Sequence, residues 1–311
     1  MRCFKTRYII ALSLFLLIAA CLRAEYTLIA KSRYVSIYGS GRTAESTLNL
    51  RQELDEGIDK IQMHTGVYVD GGPDIYIVPD DDAYARLTQE HQGIVEFSDA
   101  FYSSAEKRVW VRPLESLKGS YIKILIHEYT HWYLDQLFSG ATLWFHEGMA
   151  CLFANQLSLE SYINFTRDCF FGQLADLFRM SYQYPESPAQ WQSYYLSSLF
   201  AITYLQENYP EGWKTFWSIT SSTYKAGQKT PFIPAFNYSF NTTLFDFNLQ
   251  YQDYLKGKAW KYLFIGINSL IFSLLPFVLL IAYFRRRKRM KQLPDLPLPQ
   301  DAELEPPQED S

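Results

Sequence analysis

The chain reads as α+β: strands and helices come first, a mainly helical stretch follows, and a single C-terminal hydrophobic helix anchors it. Three observations predict this. Short β-type segments at Ser32 to Tyr38, Asp74 to Val78 and Val109 to Val111 all fall in the first part of the chain. From residue 120 onward, apolar residues recur mainly at helical spacing. Finally, Tyr262 to Phe284 is a run of 23 residues without a charge, long enough to cross a hydrocarbon core with some tilt.

Taken in order, Arg2, Lys5 and Arg7 precede an apolar run from Tyr8 to Ala20, the pattern of a signal peptide or signal anchor over residues 1–24. Cleavage near Ala24, retention of the segment, and lipidation at Cys21 within Ile18-Ala19-Ala20-Cys21 all remain open. Residues 25–258 are enough for one substantial domain. In it, Leu50, Leu54, Ile58 and Ile61 repeat at helical spacing between the first two strands, and Gly71-Gly72-Pro73 leads into the second.

The chemistry is concentrated in His127-Glu128-Tyr129-Thr130-His131 and, after fifteen intervening residues, Glu147 within Trp144-Phe145-His146-Glu147-Gly148-Met149-Ala150. On a helix, residues four apart differ by about 40° of rotation and about 6 Å of rise, so His127 and His131 share a face and can grip one metal ion. Glu128 lies about 100° around, where its carboxylate can act as a general base without competing for the metal. A catalytic zinc site takes three protein ligands, and Glu147 is the third candidate. Ser120 is placed to cap this helix and Gly140 to end it. Lys123, Glu128 and Asp135 make the helix too polar for a membrane span.

The pair HEYTH and WFHEGMA resembles the gluzincin zinc peptidases, especially the peptidase MA-like group, and more distantly alanyl aminopeptidases. The resemblance implies a zincin-like fold over residues 25–258, with an N-terminal mixed sheet and helices followed by a mainly helical lobe. It also implies one Zn2+ per chain held by His127, His131 and Glu147, with Glu128 as base. The segment Trp191 to Phe200 is similar to the family's Tyr-x-x-Ser helix, which points to Tyr195 as an oxyanion donor, with Tyr194 as alternate. Gly93 to Phe101 takes the place of the edge strand that lies along a zincin cleft. The short interval between His131 and Glu147, and the lack of a Gly-rich amine-binding motif, favour an endopeptidase over an aminopeptidase. Cys151, four residues after Glu147, stands where some gluzincins carry a carboxylate that supports a zinc-bound histidine. His146 would face away from the metal, and His64 and His91 lie outside the site.

Beyond the motif, Trp191, Tyr194, Tyr195, Leu199, Ile202 and Leu205 form another apolar helical face that Pro210 ends. Tyr224 to Asn241 suggests a loop or lid, and Leu244 to Leu255 a last helix. After the span at 262–284 come Arg285, Arg286, Arg287, Lys288, Arg289 and Lys291, against Lys256, Lys258 and Lys261 before it. By the positive-inside rule the C-terminus is cytoplasmic, and the domain faces the periplasm or exterior from the cell (inner) membrane as a single-pass protein. The region 285–311 continues into a tail with five Pro and six acidic residues, suited to disorder and to a cytoplasmic partner. The net charge is −4, and the outward portion is acidic, which argues against nucleic-acid binding. Cys151 and Cys169 fall in the domain as a disulfide or as two thiols.

The resulting expectation is a membrane-tethered zinc peptidase acting on peptides or proteins. The alternative is a non-catalytic zinc-binding interaction or assembly module on the same fold.

Overall fold

The computed structural model describes residues 26–39, 50–91, 98–117, 119–155, 157–174, 176–185 and 190–292. The expected signal segment, Cys21, most of Gly93 to Phe101 and the tail from residue 293 lie outside them. A five-stranded mixed sheet has the order β1 (Thr27–Lys31), β2 (Ser36–Gly39), β3 (Asp74–Ile77), β5 (Arg108–Val111), β4 (Ala100–Ser103). The inner pairs β2–β3 and β3–β5 are parallel, and the outer pairs β1–β2 and β5–β4 are antiparallel. Alternation sets the sheet's inner face: Ile37, Ile75, Ile77, Val109 and Val111 are buried.

Helix α1 (Leu50–Thr65) buries Leu54, Ile58 and Ile61, the face read from its spacing. It packs on α3 (Tyr121–Leu137), the helix that carries HEYTH. Three contacts fix the rotation of α3. Gln62 Nε2 donates to Tyr129 Oη at 3.2 Å, Thr65 Oγ1 and Tyr133 Oη lie 2.5 Å apart, and Tyr133 Oη donates to the Val67 carbonyl at 2.7 Å. With Tyr129 and Tyr133 turned to α1, His127 and His131 are left for the opposite side.

The helical part follows: α4 (Leu143–Ala154), α5 (Leu159–Phe170), α6 (Trp191–Asn208), α7 (Pro210–Lys225), α8 (Phe232–Phe240) and α9 (Leu244–Met290). A small two-stranded sheet pairs β6 (Phe138–Ser139) with β7 (Thr230–Pro231) in parallel. Phe138, Trp144, Phe145, Phe216, Trp217, Phe232, Phe236 and Phe247 are all buried, with ring centroids 4.8–6.5 Å apart between neighbours. Residues up to Trp260 form one compact unit and residues from Lys261 a second. Helix α9 is long and apolar enough to cross a membrane, and its side chains from Phe264 to Phe284 are exposed.

Several local expectations are corrected. The strand expected over Ser32 to Tyr38 is a turn followed by β2, because Ser32 Oγ accepts the N–H groups of Tyr34 and Val35 and bends the chain away from β1. Helix α2 (Asp81–Glu90), which was not among the expected elements, is capped by Asp80 Oδ1 accepting from Ala83 N at 2.7 Å and packs Ala83, Tyr84 and Leu87 on the core. Ser120 sits at the start of α3 but makes no capping bond, and the helix ends at Phe138; Gly140, at φ +69°, turns the chain only afterwards. Pro210 opens α7 as its first residue, where a missing N–H costs nothing. The stretch from Tyr224 to Asn241 is neither loop nor lid: Phe232, Phe236 and Phe240 recur every four residues and bury one face of α8. Pro234 is tolerated there because it falls in the first turn.

A tight helix contact against backbone is at Gly148 of α4, where an added Cβ would lie 2.4 Å from the Ser198 carbonyl oxygen and 2.7 Å from Ile202 Cγ1. Gly148→Ala in the full-length protein is expected to cost about 1–3 kcal/mol, measured as a lowered denaturation midpoint. Gly257→Ala, where a Cβ meets nothing within 4 Å, is the control and leaves the midpoint unchanged or slightly higher.

Candidate metal centre

Helices α3 and α4 cross with His127, His131 and Glu147 facing one another. Glu147 Oε2 lies 3.3 Å from His127 Nε2 and 3.6 Å from His131 Nε2, and the potential ligand atoms of all three residues lie within 4.8 Å of one another. Tetrahedral ligands about 2.0–2.1 Å from a cation are about 3.3 Å apart, so the two imidazole–carboxylate distances are close to those of a coordination shell. Glu147 Oε2 is buried and accepts no hydrogen bond, so it keeps a lone pair for a cation. Two imidazoles and a carboxylate make a donor set suited to a divalent ion, and these residues fit one.

The electrostatics follow from burial. Burial alone would raise the Glu147 carboxyl, but His131, His127 and a hydrogen bond from Tyr184 outweigh it and hold it at about 2. Burial would lower His127, and the adjacent Glu147 reverses this and raises it. His131 is lowered to about 3, mainly by burial, and stays neutral and able to donate a lone pair. Glu128 is pushed up to about 7, by burial first; His127 and the backbone N–H of Tyr102 oppose the rise, and Glu147 adds to it. A cation bound alongside would draw that value down.

The centre lines a cavity of about 310 Å³ shared with Ala100, Phe101 and Tyr102 of β4, Asp135 of α3, Tyr184, and Trp191 and Tyr195 of α6. A second cavity of about 720 Å³ continues from Ala100, His127, Glu128 and Tyr195 to Lys123, Cys151 and Ser158. Tyr195 stands edge-on to His127 at 6.0 Å, and burial keeps its phenol protonated and able to donate. Tyr194 is buried and lines neither cavity. His146 borders the first cavity, its ring 5.8 Å from that of His131, and is not among the convergent ligands. His64 and His91 have local partners instead: Gln206 for the first, the Leu87 carbonyl for the second. Cys151 and Cys169 are both free thiols.

Of the edge strand expected over Gly93 to Phe101, residues 93–97 lie outside the described ones and only Ala100 and Phe101 fall in a strand, β4, which occupies the sheet edge. Arg112 N–H donates to the Asp99 carbonyl, so Asp99, Phe101 and Ser103 turn their backbone groups toward β5. Ala100 and Tyr102 turn theirs to the open side, where the Tyr102 N–H meets Glu128. The main residue missed from sequence is Tyr184, whose hydroxyl donates to Glu147 Oε1 at 2.9 Å while its ring stacks on Trp191 at 5.0 Å. Among 24 tyrosines and with 37 residues separating it from Glu147, no local pattern marked it.

Compared with protein-family models and with curated protein sequences, the chain matches none. The site therefore rests on its own geometry.

Replacing His127, His131 or Glu147 with alanine is expected to abolish stoichiometric metal binding, measured by elemental analysis after dialysis. Tyr184→Phe removes only the hydroxyl that orients Glu147, and should weaken metal affinity by about 10–100-fold in a chelator competition.

Proposed function

We propose that this chain is a membrane-tethered, zinc-dependent peptidase of the gluzincin kind, with a zincin-like domain, acting as an endopeptidase. The observation that carries this reading is Glu128: a buried carboxyl beside the three convergent ligands, on the helix that supplies two of them, its one hydrogen bond among the described residues coming from the Tyr102 N–H. A purely structural metal site has no use for an acid at that position.

Zinc held by His127, His131 and Glu147 would supply Lewis acidity toward a scissile carbonyl. Glu128 takes the proton from the attacking water and returns it to the leaving amine. Tyr195 donates to the developing oxyanion from the other wall of the cavity. The open edge of β4 offers the backbone groups of Ala100 to an extended substrate, and two cavities that share Ala100, His127, Glu128 and Tyr195 in their walls give that substrate room beside the centre. This supports cleavage inside a chain over removal of a terminal residue. The span at 262–284, with arginines and lysines after it, supports a domain on the periplasmic or extracellular side.

The test is a peptide-library digest by the full-length protein with its zinc content measured in parallel. Wild type should carry one zinc per chain and cleave, while Glu128→Gln should keep the zinc and lose about 10²–10⁴ in rate. Zinc retained with no difference in cleavage would favour a non-catalytic binding or assembly module. Tyr195→Phe should lower kcat by about 10²-fold with zinc content unchanged.

A further inference from the structure

We propose that Asp135 of α3 sets the specificity of the cleft by taking the cationic end of a lysine or arginine side chain beside the bond that is cleaved; this deepens the peptidase reading and rests on it. Asp135 lines the cavity of about 310 Å³ that also holds His127, Glu128, His131 and Glu147. Its place follows from the helix. Seven residues separate it from Glu128, about 20° short of two full turns, so the two carboxyls share one face of α3 about 10 Å apart along the axis. His131 lies between them, about 6 Å before Asp135. A side chain that reaches Asp135 therefore belongs to a residue next to the metal centre, and it must be long.

Tyr102 of β4 covers the same interval. Its N–H meets Glu128 and its hydroxyl donates to Asp135 Oδ2 at 3.1 Å, so one residue of the edge strand ties the proposed base to the proposed subsite. That bond uses one carboxylate oxygen. The other, Oδ1, has Lys229 Nζ 3.6 Å away, beyond hydrogen-bond length. Lys229 stands just before β7 with its side chain 45% exposed, and it lines a different cavity, with Val67, Tyr68 and Tyr224. An exposed pair of this kind is weak, so a substrate cation arriving from the cleft can take the place of Lys229.

Charge balance in the cavity selects the sign of what binds. Its walls carry Glu128, Glu147 and Asp135 and, among the described residues, no lysine or arginine. A divalent cation at the centre matches the first two carboxylates and leaves Asp135 over. An acidic substrate side chain is repelled there, and a basic one is attracted. Ala141 and Leu143 border the same cavity and give apolar surface to the methylene stem of lysine or arginine, whose charge sits at its end. The substrate class is therefore an extended polypeptide with a basic residue next to the scissile bond.

The test uses the full-length, zinc-loaded protein and end-capped peptides in which one arginine is moved along an alanine chain and then replaced by citrulline, which keeps its shape without the charge. At one position, kcat/KM for arginine should exceed that for citrulline by about 10–100-fold. Asp135→Asn should bring this ratio close to one, and Asp135→Lys should turn the preference to glutamate at the same position. Lys229→Ala should widen the ratio by about two- to fivefold. Ratios are read on variants that keep their zinc, so a general loss of fold does not enter them. A wild-type ratio near one at every position, or one that Asp135→Asn leaves unchanged, overturns the subsite. So does a free N-terminal amine that replaces the arginine without loss. Binding of the same peptides to zinc-loaded Glu128→Gln, followed by fluorescence anisotropy, separates the subsite from the peptidase reading. If wild type cleaves no peptide, the peptidase reading fails, and tighter binding of arginine that Asp135→Asn removes still supports the subsite. Binding that ignores the charge, or no binding of either peptide, overturns it.

Discussion

A carboxylate only 3% exposed must be matched by charge and hydrogen bonds, and Glu147 is the point at which this domain meets that requirement. Its partners come from three places in the chain: His127 and His131 from α3, and Tyr184 from the segment before α6. One side chain thus ties together α3, α4 and the approach to α6. Burial of the same pocket neutralises His131 and raises Glu128, so the constraint that makes the carboxylate costly also leaves His131 a free lone pair and brings Glu128 near neutrality.

Helix α3 can present those groups because its other side is fixed. Tyr129 and Tyr133 are buried amphipathic residues whose hydroxyls find Gln62, Thr65 and the Val67 carbonyl. Rotation of α3 about its axis would break these bonds before it displaced the histidines. Gln62 has a second task, since it also bonds the Val69 backbone at both its N–H and its carbonyl and so fixes the chain that leads into β3. The sheet is connected to the centre from the other side through the Tyr102 N–H at Glu128. If a substrate strand adds to β4, it docks on the strand that already orients the proposed base.

The ligand cluster was legible because it is local. His127 and His131 are one turn apart, and Glu147 lies on the next helix, so two helical periods and a short connection suffice to bring them together. The faces of α1 and α6 were legible for the same reason. What was not legible depends on partners distant in sequence. Tyr184 acts through a contact across 37 residues, and β4 becomes an edge strand only through the order of the whole sheet. The region from Tyr224 to Asn241 misled for a different reason. Its Gly, Pro and Asn content reads as loop, yet glycine falls at the turn after α7, with Gly227 at φ +75°, and Asn241 closes α8 in the left-handed region. The breakers mark the ends of the elements, and the aromatics between them build the core.

The departure at Cys151 has a structural counterpart. His127 turns Nε2 to the ligand cluster, and its Nδ1 is buried with no hydrogen-bond partner among the described residues. Coordination through Nε2 requires the proton on Nδ1, so this imidazole would hold an unmatched N–H in a dry pocket, a cost of about 1–3 kcal/mol. Cys151, one turn beyond Glu147, lines the cavity beside His127, but burial raises its thiol and keeps it neutral, so it offers no negative charge to that proton. A carboxylate there would make the imidazole a stronger donor. Without one, His127 donates less, and a cation in the site keeps more of its own positive charge. That lowers affinity and raises Lewis acidity together. On the proposed peptidase reading, a cation held less tightly and acting more strongly on what it touches would suit the reaction.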